Sequence, residues 1–182
     1  MGDNRNMNTQ KATFGAGCFW CAEAAFKLLP GVIFVVLGYI GGNEENPSYE
    51  EVSSKRTGHV EAVQVKYDPA RVSYEQLLKI FWEIHNPTEE NKQGPDIGLQ
   101  YQAVIFAHTD EQKELAEKTK KDMALKLGQK IATKILPFRN FYPAEEYHRN
   151  FYEKNPNTPY SKAVIAPKIK KVKKLLDEYG EE

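Results

Sequence analysis

The spacing of apolar and polar positions changes several times along the chain, and each change marks an element. KATFGAG is a short apolar stretch that runs into a glycine turn and reads as a strand. Phe19 to Leu29 is rich in Ala and stops at Pro30-Gly31, which predicts a helix. VIFVVLGYI is a continuous apolar run with β-branched residues, the mark of a strand buried on both faces. HVEAVQVKY alternates as a strand, with His59, Glu61, Val63, Val65 and Tyr67 on its more apolar face. SYEQLLKIFWEIHN sets Leu77, Leu78, Phe81 and Trp82 at helical spacing behind a Ser73 cap, and YQAVIFAH reads as another strand. Two long polar stretches, GGNEENPSYEEVSSKRTG and PTEENKQGPDIGLQ, read as loops, and loops of this length in compact domains are often functional.

The resulting order, β-α-β-β-α-β, is the split βαβ pattern of ferredoxin-like sheets. A third helix, over about residues 110–127, and a strand, IATKIL, extend it. The aromatic, turn-rich segment FRNFYPAEEYHRNFYEKNPNTPYSKAV is expected to wrap the sheet irregularly and to lead into a C-terminal helix at about 167–179. The fold class is therefore α+β, a two-layer sandwich with a mixed sheet. The chain of 182 residues suits one well-filled core, so a single domain is expected, its first ten polar residues flexible.

Composition narrows the function classes. Lys+Arg and Asp+Glu balance at 25 each, which offers no general attraction to nucleic acid or an acidic membrane. Lys168, Lys170, Lys171, Lys173 and Lys174 crowd the last segment. They alternate with Ile169, Val172, Leu175 and Leu176 at helical spacing, as on a solvated helix docked by its apolar side. No apolar run approaches the ~18 residues of a membrane span, and MGDNRNMNTQ has no apolar run to serve as a signal peptide. The expected location is the cytoplasm, and the chain is expected to act as a monomer.

The two cysteines change the picture most. Both lie in GAGCFWCAEAAF, three residues apart, where a strand and glycine turn give way to a helix. Unpaired N–H groups and the positive end of the helix dipole would favour a thiolate at Cys18, and a thiolate is a nucleophile. GAGCFW begins like a dinucleotide-binding turn but has Trp20 where the third glycine belongs. Half a zinc site would need a second ligand pair, and His59, His85, His108 and His148 are scattered without ligand spacing. Glu145-x-x-His148 resembles one arm of a di-iron site whose second arm is missing. A thioredoxin-like dithiol oxidoreductase remains open, as does a module that binds peptides or metal through an aromatic-cysteine pocket. Phe19 and Trp20 are either plain core or the walls of a pocket for a small apolar group such as a methyl. Glu61 either bends out to solvent or to Arg56 or Lys66, or is desolvated enough to hold a proton near neutrality.

Taken in order, GCFWCAEAAF, GYIGGNEENPSYEEV, RTGHVEAVQVKYDP, FWEIHNPTEENKQGPDIGLQY and AEEYHRNFYEKNP resemble the motifs of the A-type peptide methionine sulfoxide reductases. The resemblance runs from about Phe14 to Tyr160, and GCFW with a downstream GHVE is highly specific. It implies an α+β sandwich and reduction of the S epimer of methionine sulfoxide, free or in protein, without metal or organic cofactor. It implies that Cys18 attacks the sulfoxide sulfur, that Phe19 and Trp20 hold the substrate methyl, and that Glu61 protonates the sulfoxide oxygen. It further implies that Tyr49 and Tyr101 hydrogen-bond that oxygen and that Asp96 shapes the site. The product would be methionine and a sulfenic acid on Cys18, regenerated by thioredoxin or another thiol.

Two departures bear on regeneration. Many family members carry resolving cysteines near the C-terminus, whereas NTPYSKAV has Ser161 and no Cys follows residue 21. Many also have glycine after GCFW, where this chain has Cys21. Cys21 is either the thiol that closes a disulfide with Cys18 or a small buried helix residue.

Overall fold

The computed structural model of the chain describes residues 8–180. Of the first ten residues, expected to be flexible, 1–7 lie outside the described residues, and Gln10 already begins a strand. The elements run β1 (Gln10–Gly15), α1 (Phe19–Phe26), β2 (Val32–Ile40), α2 (Tyr49–Ser53), β3 (Val60–Tyr67) and α3 (Tyr74–Glu83). There follow β4 (Lys92–Gln93), β5 (Asp96–Ile97), β6 (Val104–Ala107), α4 (Asp110–Leu127), β7 (Lys134–Pro137), β8 (Tyr142–Pro143), α5 (Phe151–Lys154) and α6 (Ala166–Gly180).

Six strands form one sheet in the order β7-β6-β1-β3-β2-β8. Its four central members are antiparallel, the arrangement a split βαβ order requires, and β6 and β7 pair in parallel at one edge. The fold is the expected α+β sandwich with a mixed sheet. β4 and β5 form a separate two-stranded hairpin.

Helices cover one face of the sheet. Phe14 on β1 stacks on Phe26 of α1 at 5.2 Å and on Phe81 of α3 at 5.1 Å, tying both helices to the central strand. Each such ring, fully buried, contributes about 1.5–3 kcal/mol. α3 starts as its sequence predicts: Ser73 accepts from the Gln76 N–H while Gln76 accepts from the Ser73 N–H, a complete capping box. The opposite face is closed by a smaller cluster, Ile40, Val60, Ala62, Val104 and Phe106, under Phe138 and Phe141.

Three expectations need correction. β2 is not buried on both faces throughout: Ile33 and Phe34 are exposed, because β8 pairs only with Gly38 and Tyr39 and leaves the first half of β2 at the sheet edge. The two polar stretches are not structureless. The first contains α2, capped by Ser48 with Glu51 in a second capping box, and the second contains the β4–β5 hairpin and a 3₁₀ turn over Leu99–Tyr101. The C-terminal wrap is more than a cover, since β8 joins the sheet. Gly38 permits this approach, as a Cβ there would lie 2.5 Å from the Tyr142 carbonyl oxygen and against the Phe141 ring.

Candidate active site

β1 ends against a turn that only glycine fits. Gly17 has φ +83°, and a Cβ on it would lie 2.8 Å from Cβ of the buried Gln93. Gln93 is itself fixed, accepting from the Asn86 N–H and donating to the Asn86 carbonyl, both at 2.8 Å. Cys18 follows as the N-cap of α1, and its carbonyl accepts from the N–H groups of Cys21 at 3.2 Å and Ala22 at 3.4 Å.

Glu61 projects from β3, paired across the sheet with Tyr39. It is buried, and its Oε1 accepts the Phe19 N–H at 3.2 Å rather than meeting Arg56 or Lys66. Burial pushes its carboxyl up to about 8, against the pull of that N–H and with further help from Asp96 and Cys21. The carboxyl is therefore largely protonated at neutral pH, as its place on the apolar face of β3 suggests.

The cysteines require a revision. The first free N–H of the helix serves Glu61, and Cys18 is buried. Burial pushes its thiol well above the ordinary range, reinforced by Cys21 and Glu61. Cys21 moves the other way, chiefly because the Cys18 thiol donates to it, with Lys168 also favouring charge there against burial. The resting pair thus keeps a proton on Cys18, where a thiolate was expected, and both cysteines are free.

The two polar stretches bring three more side chains to this point. His59 fixes the first: its Nδ1 accepts the Gly42 N–H at 3.1 Å and its Nε2 donates to the Glu44 carbonyl at 2.8 Å. Tyr49 then opens α2, and the hairpin and 3₁₀ turn carry Asp96 and Tyr101. Burial raises both phenols, and the charges that act on them next are those of Glu61, Cys18 and Asp96. Tyr49 and Tyr101 therefore remain hydrogen-bond donors beside the thiol and the carboxyl. Cys18, Glu61, Tyr49, Asp96 and Tyr101 are brought together from four separate parts of the chain.

Phe19 and Trp20 differ in exposure. Phe19 is buried, with Tyr39 at 5.8 Å and His148 at 5.0 Å between ring centres. Trp20 is half-buried and stacks flat on Phe151 at 3.7 Å. Its indole N–H donates to His148 Nδ1 at 3.2 Å, so one edge of the ring is held while the other borders the cysteines.

Three further residues here are assigned no role by the motifs that contain or flank them. Glu145 accepts from the Tyr39 hydroxyl at 3.0 Å, the Tyr49 N–H at 3.0 Å and the Tyr147 hydroxyl at 3.1 Å, tying the C-terminal segment to α2. His148 lies under Phe19, Trp20 and Tyr49. Together they use the Glu-x-x-His spacing for positioning. Among the described residues no group of three His, Cys, Asp or Glu side chains could hold a metal ion. Tyr160, in NTPYSKAV, places its hydroxyl 2.6 Å from Asp96 Oδ2 and 4.0 Å from Cys21 Sγ. Its only sequence signal is the tyrosine before Ser161, with nothing local to announce either contact.

Among the described residues no helix is long and apolar enough to cross a membrane.

The family model described as peptide methionine sulfoxide reductase matches residues 10–179. The chain is 52% identical over 170 residues to the peptide methionine sulfoxide reductase MsrA of Thermus thermophilus, covering 93% of this chain and 97% of that one. Mxr1 from Saccharomyces cerevisiae in its reduced form aligns with a TM-score of 0.79 and 38% identity, covering 82% and 87% of the two chains. Mxr1 has also been solved in complex with Trx2; that structure aligns with a TM-score of 0.56 and 26% identity, covering 79% and 84%.

Proposed function

The chain belongs to the peptide methionine sulfoxide reductases, an oxidoreductase family, and on that premise we propose that it reduces methionine-S-sulfoxide through a sulfenic acid on Cys18. The observation that carries this reading is the buried Glu61 carboxyl held on the N–H of the residue after Cys18, where burial pushes it up to about 8. A reducing site for a sulfoxide needs a nucleophile for sulfur and a proton for oxygen, and these two groups supply both.

Glu61 protonates the sulfoxide oxygen, while Tyr49 and Tyr101 donate to it as charge develops there. Cys18 attacks the sulfur, and its thiol proton restores the Glu61 carboxyl that gave its own to the oxygen. Oxygen ends on Cys18 as a sulfenic acid, and methionine leaves. Phe19 and Trp20 hold the methyl group, and Trp20 has the rigidity for this because Phe151 and His148 fix its ring.

Cys21 then closes a disulfide with Cys18 and releases water. The two residues occupy the cap and third positions of one helix start and pack in one buried cluster. The disulfide is reduced by a dithiol protein of the thioredoxin class, a reading supported by the Mxr1 complex with Trx2. Oxidised methionines in proteins or free are the substrates, and the described chain acts as one catalytic domain.

The test is turnover of the separate S and R epimers with thioredoxin and its reductase. The wild-type protein is expected to reduce the S epimer alone, and Cys18→Ser neither. Equal turnover of both epimers, or residual turnover by Cys18→Ser, would contradict the assignment.

A further inference from the structure

The Tyr160 hydroxyl is within sulfur hydrogen-bond reach of Cys21 and makes a short bond to Asp96 Oδ2, at 4.0 and 2.6 Å. Tyr160 donates in the short bond to Asp96 Oδ2, which leaves the phenol oxygen free to accept from the Cys21 S–H. The segment carrying this tyrosine is firmly held. Ser161 is fully buried, donates its hydroxyl to the Asn155 carbonyl at 2.5 Å and its N–H to Thr158 Oγ1 at 3.1 Å. A turn of π-helix over Ser161–Ile165, a form that recurs at functional sites, leads into α6. From there Ile165 and Ile169 pack against the cysteines, while the Tyr160 ring stands edge-on to Trp20.

Cys21 needs such a partner at one stage of the cycle. While Cys18 is a thiol, its S–H supports charge on Cys21. Once Cys18 is a sulfenic acid, that donor is gone. Of the charged groups acting on Cys21, Lys168 favours a thiolate, whereas Asp96 opposes one.

We propose that Tyr160, backed by Asp96, is the catalytic proton acceptor that activates Cys21 for disulfide formation, an inference that rests on Cys21 being the resolving thiol. The Cys21 S–H bond breaks as its proton moves to the Tyr160 oxygen and the Tyr160 proton moves to Asp96, so the phenol stays neutral throughout. The freed electron pair on Cys21 forms the S–S bond, and the S–O bond of the Cys18 sulfenic acid breaks. The departing hydroxide takes the proton from Asp96 and leaves as water. The Cys21 sulfur is oxidised and the Cys18 sulfur reduced, with no outside oxidant or reductant. Asp96 acts here as a positioning residue and proton store behind Tyr160.

The test is a rapid-quench single turnover of the reduced enzyme with methionine-S-sulfoxide, scoring methionine, the dimedone-trapped sulfenic acid and the Cys18–Cys21 disulfide. Tyr160→Phe keeps the ring and removes the hydroxyl. It is expected to slow disulfide formation relative to methionine formation by about tenfold or more, so that sulfenic acid accumulates. Raising the pH toward the thiol range should restore much of that step in Tyr160→Phe, because Cys21 then ionises without help. Equal slowing of both steps, or an unchanged ratio between them, would overturn the relay. Absence of the disulfide in the wild-type protein would instead overturn the resolving role of Cys21. Should Tyr160→Phe fail to fold, the solvent isotope effect on wild-type disulfide formation decides: about twofold or more supports the relay, and unity refutes it.

Discussion

In the proposed mechanism, a carboxyl raised by burial sets both the chemistry and a cost in stability at this site. Glu61 is held up to about 8 by burial, while an unfolded chain would release its proton near the ordinary glutamate value of about 4.3. The group donates only while protonated, so turnover is expected to fall as pH rises through about 8. Glu61→Gln should lower turnover by roughly 10²–10⁴-fold at every pH and erase that descending limb. The effect on stability has the opposite sign. Between about pH 4.3 and 8 the unfolded state loses the Glu61 proton and the folded state keeps it, so wild-type stability drains away as pH rises. Glutamine cannot ionise and can still accept the Phe19 N–H. Calorimetry should therefore find Glu61→Gln more stable at pH 7.5, on the order of a few kcal/mol, with the gain vanishing below pH 5. A variant less stable than wild type at pH 7.5 would refute the neutral carboxyl.

At the scale of elements, the site depends on short segments that reach across the fold. Glu145→Ala removes the acceptor shared by Tyr39, Tyr49 and Tyr147, freeing the start of α2 from the C-terminal segment. Turnover is expected to drop about 10–100-fold through displacement of Tyr49. The melting temperature should fall only modestly, by the few degrees that ~1–2 kcal/mol implies. Gly17→Ala forces a side chain onto a positive φ and into Gln93, and should cost about 1–3 kcal/mol while moving Cys18. A variant with wild-type stability and turnover would contradict the tight turn. These dependencies also explain what the sequence made legible. The periodic segment α3 and the alternating second half of β3 were readable because burial imposes their period. β3 also exposed Glu61 as a carboxylate on an apolar face. α2 and the β4–β5 hairpin were not readable, since each is short, polar and defined by caps and distant anchors. Cys18 was legible as a candidate nucleophile from its motif, but the upward push on its thiol was not, because burial by α6 and by the Tyr160 segment is a tertiary fact. Tyr160 itself acquires a role only through Asp96, 64 residues away.

For the whole molecule, the proposed redox cycle runs on two thiols at one helix start. The lysine-rich helix α6 takes part, packing Ile169 and Val172 inward while four of its five clustered lysines stay exposed. Lys168, the fifth, is half-buried and acts on Cys21. Cys21→Ser is expected to form one equivalent of methionine from the S epimer, then stall with thioredoxin as sole reductant. A small-molecule thiol that reaches the Cys18 sulfenic acid should rescue it. Full thioredoxin-supported turnover by Cys21→Ser would remove Cys21 from the cycle. The most direct test of the whole account is the intact mass of the fully reduced protein after a single turnover with methionine-S-sulfoxide and no reductant. The account predicts the loss of two hydrogens, mapping to a Cys18–Cys21 bridge. A stable gain of one oxygen on Cys18, or no change with an intact fold, would contradict it.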